Sequence, residues 1–169
     1  GLYLNLQMGI STEVAGRFIG KGGSRITSLR KESGANFKIE SDERGGFRMA
    51  HLGGSRQELV TLLEAMFTGA TDHGDDEILD IRLLAPSPLV GGIIGRGGSN
   101  VAAIRQASGA QVQIERTPPG SQDEFRAIEL SGSCPQLRLA LVQMVVRIYE
   151  EHATSGGAPS PGFPNRREE

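Results

Sequence analysis

Apolar and polar positions along this chain follow a pattern that occurs twice. Leu4, Leu6 and Met8 alternate with polar residues, as the positions of a half-buried β-strand do. The same alternation returns 75 residues later, in residues 79–83. The economical interpretation is that the chain contains two copies of one unit, each opening with a strand.

A glycine-rich loop follows each strand at the same offset. Its copies are residues 20–24, with the sequence GKGGS, and residues 95–99, with the sequence GRGGS. In the second copy, Ser87 with the following proline predicts a helix N-cap and a proline in the first turn, so a short helix precedes the loop. Another helix begins with the loop's serine and stops at Gly34 or Gly109, because glycine suits the left-handed position past a helix end.

The rest of each copy predicts two strands and a closing helix. The strands cover residues 36–40 and 47–52 in the first copy, and residues 111–115 and 125–130 in the second. The polar segment between the second pair, 116–124, is three residues longer, which raises the offset to 78. Apolar residues at helical spacing then close the copies: Leu59, Leu62, Leu63 and Met66, and Leu137, Leu141, Met144, Val145 and Ile148. Each copy therefore has the order strand, helix, helix, strand, strand, helix.

The segments between and after the copies have a different composition. Residues 68–77 are short and acidic, with too little apolar content to fold alone, and predict a linker. Residues 153–169 are rich in glycine, proline and charge, and cannot bury enough surface to offset their ordering entropy, so we expect a disordered tail. The predicted domains are 1–67 and 78–152. Whether they are independent or packed into one block stays open at this point.

Composition and charge restrict the functional classes. Apolar residues make up 37% of the chain. No apolar run approaches the ~20 residues that span a bilayer, which predicts a soluble protein without a membrane partner. The net charge is −2, and residues 1–76 and 77–169 each hold nine Lys/Arg against ten Asp/Glu. This balance disfavours a sequence-blind nucleic-acid binder driven by bulk charge, so any basic surface must be local.

Few side chains point to catalysis or metal binding. Cys134 is the only cysteine, which excludes an internal disulfide and favours a reducing compartment. His51, His73 and His152 are scattered, without the spacing of metal ligands. The serines that follow the glycine loops have no histidine partner at a repeated position. We therefore expect no enzyme activity, no metal or cofactor, and no small-molecule substrate.

The glycine loop itself suits an anion. Glycines let the backbone approach a ligand closely, and the amides at the following helix start, with Lys21 or Arg96 nearby, would attract a phosphodiester. A tight helix–helix turn without a ligand is the plainer interpretation of one copy, but two copies with a basic residue in the same place disfavour it. The spacing does not match a P-loop, and Arg25 and Asn100 stand where a dinucleotide fingerprint needs glycine.

These features together resemble a known family. Both units are similar to KH domains of the eukaryotic type I, whose hallmark is Ile-Gly-x-x-Gly-x-x-Ile within this order of elements, and the resemblance covers residues 1–67 and 78–152. Residues 104–114 and 125–132 most resemble the poly(C)-binding and Nova groups. The resemblance implies an α+β fold in which each unit is a three-stranded antiparallel sheet packed on three helices. It also implies a groove for about four nucleotides of single-stranded RNA.

The resemblance further implies which residues form each groove. The glycine loops would hold the RNA backbone: Gly20, Lys21, Gly22 and Gly23, and Gly95, Arg96, Gly97 and Gly98. A largely aliphatic floor would face the bases: Ala15, Gly16, Ile26 and Ile39, and Val90, Gly91, Val101 and Ile114. Arg17 and Gly92, which follow Gly16 and Gly91, are also expected among the RNA-binding residues. Arginines would read base edges: Arg30 and Arg48, and Arg105 and Arg126. Because arginine donors suit the acceptor edge of cytosine, the expected target is a C-rich or pyrimidine-rich tetranucleotide.

The two grooves are not expected to be identical. Arg17 stands where many relatives have a small residue, and its partner is Gly92. The polar segment 41–46 is short and acidic, so we expect the second unit to bind more tightly. The expected role is post-transcriptional regulation in the nucleus or the cytoplasm. Single-stranded DNA binding, and a protein-interaction scaffold with silent grooves, are the alternatives.

Overall fold

A computed structural model describes residues 2–69, 74, 76–116 and 122–154 of the 169-residue chain. The first unit consists of β1 (Leu4–Ile10), α1 (Thr12–Ile19), a 3-10 turn (Lys21–Gly23), α2 (Ser24–Ser33), β2 (Asn36–Arg44), β3 (Phe47–Gly54) and α3 (Arg56–Met66). The second consists of β4 (Leu79–Pro86), α4 (Ser87–Ile94), a 3-10 turn (Arg96–Gly98), α5 (Ser99–Ser108), β5 (Gln111–Ile114), β6 (Phe125–Gly132) and α6 (Cys134–Thr154). The predicted α+β order is confirmed in both units.

Each unit forms its own three-stranded antiparallel sheet. In the first unit β3 lies between β2 and β1, and in the second β6 lies between β5 and β4. Leu4, Leu6 and Met8 face the helices and are buried, as the alternation predicts. The inward residues of both sheets and the apolar faces of the helices form one continuous core, which holds the loops in place.

The two sheets join into a single six-stranded sheet, with the order β2-β3-β1-β4-β6-β5. At the seam β1 pairs antiparallel with β4, and Met8 lies opposite Leu83. These two residues occupy equivalent positions of the repeat, so the pairing has a local two-fold axis at this pair. Each strand would otherwise be an edge with unpaired backbone groups, and the pairing covers residues 7–9 of one edge and residues 82–84 of the other.

The closing helices also pack across the seam. Near the start of α6, Arg138 donates from Nη1 to the backbone oxygen of Phe67, which follows α3, at 3.0 Å. Near the end of α6, the Tyr149 hydroxyl donates to the backbone oxygen of Gly54, which precedes α3, at 2.8 Å. The two helices therefore run antiparallel, and the units form one block rather than two independent beads.

The structure differs from the predicted elements in three places. The loop expected at 41–46 is mostly strand, since β2 continues to Arg44 past an irregularity in register, and only Gly45 and Gly46 form the turn. Both glycines have positive φ, as the tightest hairpin turns require. Ser87 is not an N-cap but the first residue of α4, and its backbone and hydroxyl bond to the chain before β6.

The third difference is the length of α6, which continues to Thr154 and so includes the first two residues of the expected tail. The rest of that tail, 155–169, lies outside the described residues, as do 70–73 and 75 of the expected linker and the segment 117–121. By contrast, α2 and α5 begin at the loop serines and end before Gly34 and Gly109. Both of these glycines are left-handed, as predicted.

Candidate nucleic-acid interface

The two glycine loops adopt the same backbone conformation. Gly20, Gly22 and Gly23 have φ of 75°, 62° and 79°, and their counterparts in the second loop have 76°, 63° and 79°. These values are left-handed, which favours glycine. A Cβ added to Gly22 or Gly23, or to either counterpart, would meet no atom within 4 Å. The outer side of each loop is therefore open to a ligand.

The first glycine of each loop has a different role. A Cβ on Gly20 would lie 2.6 Å from Cβ of Arg25, and a Cβ on Gly95 would lie 2.6 Å from Cγ of Asn100. The absence of a side chain here lets the loop pack directly on the helix that follows it. This contact fixes the direction in which the outer glycines face.

The electrostatics of both loops suit an anion. Lys21 and Arg96 are exposed at the same position of the two loops. Each loop leads into the first turn of α2 or α5, and in neither helix does a side chain cap the free backbone amides. Those amides carry the positive end of the helix dipole, so a phosphate placed there would interact with amides and a cation together.

The predicted floor residues lie where α1 and α2 pack beside β2, and correspondingly in the second unit. They fall into three classes of exposure. Ala15, Val90, Ile26 and Val101 are buried, whereas Ile39 and Ile114 are half-buried; Gly16 and Gly91 are exposed. A Cβ on Gly16 or Gly91 would meet nothing within 4 Å. These two glycines therefore keep space open above an apolar surface.

Arg30 and Arg105 are positioned in the same way. Their Nε atoms donate to the backbone oxygens of Phe37 and Val112, at 2.7 and 2.9 Å, which fixes each side chain between the helix and the neighbouring strand. Their terminal amino groups form no hydrogen bond with the described residues, and both side chains are exposed. Each guanidinium is thus oriented by one bond and presents its remaining donors outward.

Arg48 and Arg126 are bound to the neighbouring strand. Arg48 donates from Nε to the backbone oxygen of Glu40 at 2.8 Å, and Arg126 donates from Nη2 to the backbone oxygen of Glu115 at 3.0 Å. Both are half-buried. Neither they nor Arg30 and Arg105 form an ion pair with any residue that the structure describes.

Arg17 and Gly92 are turned toward the protein itself. Arg17 donates to both carboxylate oxygens of Glu77, at 3.0 Å each, and also pairs with Glu13 at 2.5 Å. Its side chain is 10% exposed, and the hydrogen bond to Glu77 is the main reason that its pKa is raised. Gly92 is buried, and a Cβ there would lie 2.6 Å from Cβ of Glu151. Neither lies with the outward-facing residues.

Sequence reasoning missed the residues that tie each groove's first helix to the opposite hairpin. The Thr12 hydroxyl donates to the carboxylate of Glu43, and the Ser87 hydroxyl donates to the backbone oxygen of Asp123 at 2.7 Å. Thr12 and Ser87 occupy equivalent positions, 75 residues apart. A hydroxyl residue at the same place in both copies was the available signal.

Outside the two grooves, few of the described side chains point to catalysis or metal binding. His51 pairs with Glu40, and this hydrogen bond lowers the pKa of the Glu40 carboxyl. Cys134 is a buried free thiol. Across residues 2–69, 74, 76–116 and 122–154, no group of three or more His, Cys, Asp or Glu could hold a metal ion. In the same ranges, every helix is too short or too polar to cross a bilayer.

Comparison with known proteins matches this geometry to one family. The sequence profile of the KH domain matches residues 5–64 and 80–145. The human RNA-binding protein Nova-2 is 27% identical, over 89% of this chain and 35% of its own length. The human Tudor and KH domain-containing protein is 26% identical, over 88% and 26%. The RNA-binding protein Pasilla of Drosophila melanogaster is 28% identical, over 81% and 20%.

This chain therefore spans about a third or less of the length of these relatives. The profile matches lie within the two repeat copies, and each match includes one glycine loop and the helices on both sides of it. The chain belongs to the KH domain family and contains two KH domains of type I.

Proposed function

We propose that the chain binds single-stranded RNA, without catalysis, through two grooves that each have a glycine loop on one side and a pair of arginines on the other. The observation that carries this proposal is the identical, outward-open conformation of both loops beside an exposed cation. A turn that only connected two helices would not need empty space around two left-handed glycines in each copy. Two of the relatives, Nova-2 and Pasilla, are RNA-binding proteins by name.

The proposed contacts divide into backbone and base recognition. The loops Gly20–Gly23 and Gly95–Gly98 hold phosphates, and the apolar floor, with Gly16 or Gly91 at its exposed point, takes the bases. Bases would stack little on aromatic rings, since only 5% of the residues are aromatic. Arg17 and Gly92 are left out of the proposed contacts because their partners are within the protein.

Pyrimidine preference is proposed from the arginines. Arg30 and Arg105 keep their terminal donors outward while Nε is fixed, so they enter the groove already oriented. Cytosine presents acceptors on its pairing edge that such donors match. The proposed target is a C-rich or pyrimidine-rich tetranucleotide in each groove, and the proposed role is post-transcriptional regulation in the nucleus or the cytoplasm.

The sheet order sets the geometry of a two-groove complex. Strands β2 and β5, which border the grooves, lie at opposite edges of the six-stranded sheet. Five strand spacings separate them, or about 24 Å. Because the seam has two-fold symmetry at Met8 and Leu83, RNA segments in the two grooves would run in opposite directions. The two motifs must therefore be separated along one RNA, or lie on two RNAs.

The test is a titration of labelled C-rich, U-rich and A-rich single strands, as RNA and as DNA. Wild type is compared with the loop variants Lys21→Asp/Gly22→Asp and Arg96→Asp/Gly97→Asp. We expect a preference for C-rich or pyrimidine-rich RNA, and about tenfold weaker binding at the altered groove, since a phosphate contact is replaced by repulsion. Circular dichroism checks that each variant is folded.

A matched control separates the groove from bulk charge. Arg56→Asp/Gln57→Asp changes the net charge by the same amount as Lys21→Asp/Gly22→Asp, at exposed positions on α3. We expect it to bind RNA as wild type does. If no strand binds, or if the loop variants bind like this control, the grooves are silent and the chain acts as a protein-interaction scaffold. Tighter binding of DNA than RNA would make single-stranded DNA the ligand.

A further inference from the structure

The two domains differ at the residues that flank the glycine loop. Three positions before each loop's first glycine stand Arg17 and Gly92, and two positions after its third glycine stand Arg25 and Asn100. The loops themselves have the same conformation in both domains. The flanking residues must therefore support the same loop by different contacts.

Arg25 of the first domain binds the end of α3. Its Nη2 donates to the backbone oxygens of Ala65, Met66 and Thr68, at 3.1, 3.0 and 2.9 Å, and its Nη1 donates to that of Gly69 at 3.0 Å. Ala65 and Met66 lie in the last turn of α3, where carbonyls lack partners further along the helix, whereas Thr68 and Gly69 follow the helix. One guanidinium therefore binds both the helix end and the residues just after it. Arg25 is half-buried, and this burial lowers its pKa.

Arg17 binds the other end of the same connection. Its two bonds to Glu77 reach the residue two positions before β4. Residues 68–77, which we call the inter-domain segment, are thus held at both ends by the first domain. The two arginines that hold its ends lie on either side of the glycine loop in the sequence, and Gly20 packs on Cβ of Arg25.

In the second domain, Gly92, the counterpart of Arg17, is covered by a helix. Whereas α3 has 11 residues, α6 has 21, and its last turns pass over the end of α4. A Cβ on Gly92 would lie 2.9 Å from the backbone oxygen of Arg147. Asn100 donates to the backbone oxygen of Gly92 at 2.8 Å, so it bonds within its own domain. The first domain has no such helical extension, because its chain must cross to β4.

The end of α3 is also held by the second domain. Arg138 of α6 donates to the backbone oxygen of Phe67 and, at 3.3 Å, to the hydroxyl of Thr68. Carbonyls from residue 65 to residue 69 are thus bound by two arginines from two domains. A shift of one domain relative to the other would therefore displace the carbonyls that Arg25 binds, and Arg25 contacts the first glycine loop.

We infer that Arg17 and Arg25 are positioning residues that couple the first glycine loop to the two ends of the inter-domain segment, so that RNA binding by the first groove depends on these contacts. The inference rests on the proposed RNA binding. In this inference Arg17 supports the loop and does not contact RNA. The coupling has no counterpart in the second groove, where Gly92 and Asn100 replace the two arginines. Breaking the Arg17–Glu77 pair therefore weakens the first groove alone.

The test uses the full chain with the second groove inactivated by Arg96→Asp/Gly97→Asp. Glu77→Gln is compared in this background with Glu13→Gln, which removes a carboxylate from the same arginine but not from the inter-domain segment. The readouts are the affinity for C-rich RNA and the hydrogen-exchange rates of the amides of residues 22–24 without RNA. We expect Glu77→Gln to bind about fivefold more weakly, the scale of one charge-assisted hydrogen bond, and its loop amides to exchange faster. The side chain of Glu13 is 74% exposed, so we expect Glu13→Gln to match the parent.

Two further arms complete the test. Arg25→Asn, which introduces the residue found in the second domain, should also speed exchange in the first loop. With the first groove inactivated by Lys21→Asp/Gly22→Asp, Glu77→Gln should leave RNA binding unchanged. Tighter binding by Glu77→Gln would show that Arg17 is an RNA contact restrained by Glu77, and would overturn the inference. Unchanged affinity with unchanged exchange would overturn it too.

These outcomes stay separate from failure of the proposed function. If the parent with only the first groove active binds no strand, RNA binding by that groove is refuted. The coupling is then judged by the exchange rates alone, and it fails if Glu77→Gln does not speed exchange in residues 22–24.

Discussion

Gly91 and Gly92 are neighbours in α4, yet the structure predicts opposite effects of adding one methyl group to each. A Cβ on Gly91 would meet no atom within 4 Å. A Cβ on Gly92 would lie 2.6 Å from Cβ of Glu151 and 2.9 Å from the backbone oxygen of Arg147. Neither of those atoms is the free end of a flexible side chain, so α6 itself would have to move.

The magnitude follows from two contributions. Replacing glycine by alanine inside a helix stabilises the folded state by ~0.5–1 kcal/mol, and this gain applies to both positions. Only Gly92→Ala adds overpacking against α6, which costs ~1–3 kcal/mol. We therefore expect the free energy of unfolding of Gly91→Ala to exceed that of Gly92→Ala by about 2 kcal/mol, or about 4–8 °C in Tm for a protein of this size.

Urea denaturation and thermal unfolding of both variants measure this difference. Gly16→Ala is the matched control in the first domain, because a Cβ there also meets nothing within 4 Å. Gly91→Ala and Gly16→Ala should gain stability but bind RNA more weakly at their own groove, since the methyl enters the space proposed for a base. Equal stability of Gly91→Ala and Gly92→Ala would refute the close packing of α6 on α4.

Two further predictions concern the seam and the RNA. Tyr149→Phe should cost about 1 kcal/mol at neutral pH, because the bond to the backbone oxygen of Gly54 is lost. Burial raises the pKa of Tyr149 above its ordinary value of 10.0, so wild-type stability should fall as pH rises above 10, and denaturation curves of the phenylalanine variant should show a smaller fall. In binding titrations, RNAs with two C-rich motifs separated by about 3 nucleotides should bind no tighter than one motif, whereas spacers of about 20 nucleotides should gain avidity. Equal gains at both spacings would contradict the opposed grooves.

Local sequence features predicted most of the fold. The alternation of Leu4, Leu6 and Met8 places one face of a strand in the core whatever the strand pairs with. Gly34 and Gly109 end their helices because a left-handed residue is needed there. The repeat strengthened each of these inferences by supplying a second, independent copy. The continuation of β2 to Arg44, where a loop was predicted, was missed because these strand residues are polar and lie on an exposed hairpin, where periodicity carries no signal.

Some residues of the candidate site could likewise be predicted from local sequence, and others could not. Backbone requirements predicted the glycine loops, and the repeat indicated Lys21 and Arg96 at the same place in both. The sequence alone did not indicate that Arg17 would face Glu77, 60 residues away, because no local pattern relates the two. The sequence also did not indicate that Gly92 must lack a side chain, because the contact that requires this comes from α6.

What the sequence by itself determined is the set of elements within each domain, their order and the position of the glycine loops, because these depend on neighbours in the chain. Tertiary structure alone decided that β1 pairs with β4, that the grooves lie at opposite edges of one sheet, and that Gly69 and Glu77, at the two ends of the inter-domain segment, bind arginines that flank the first loop. Those features arise where edge strands, helix ends and charges find partners far away in sequence. A polar group at such a place needs a hydrogen-bond partner, but many distant residues could supply one. No single stretch of sequence therefore specifies which contact forms.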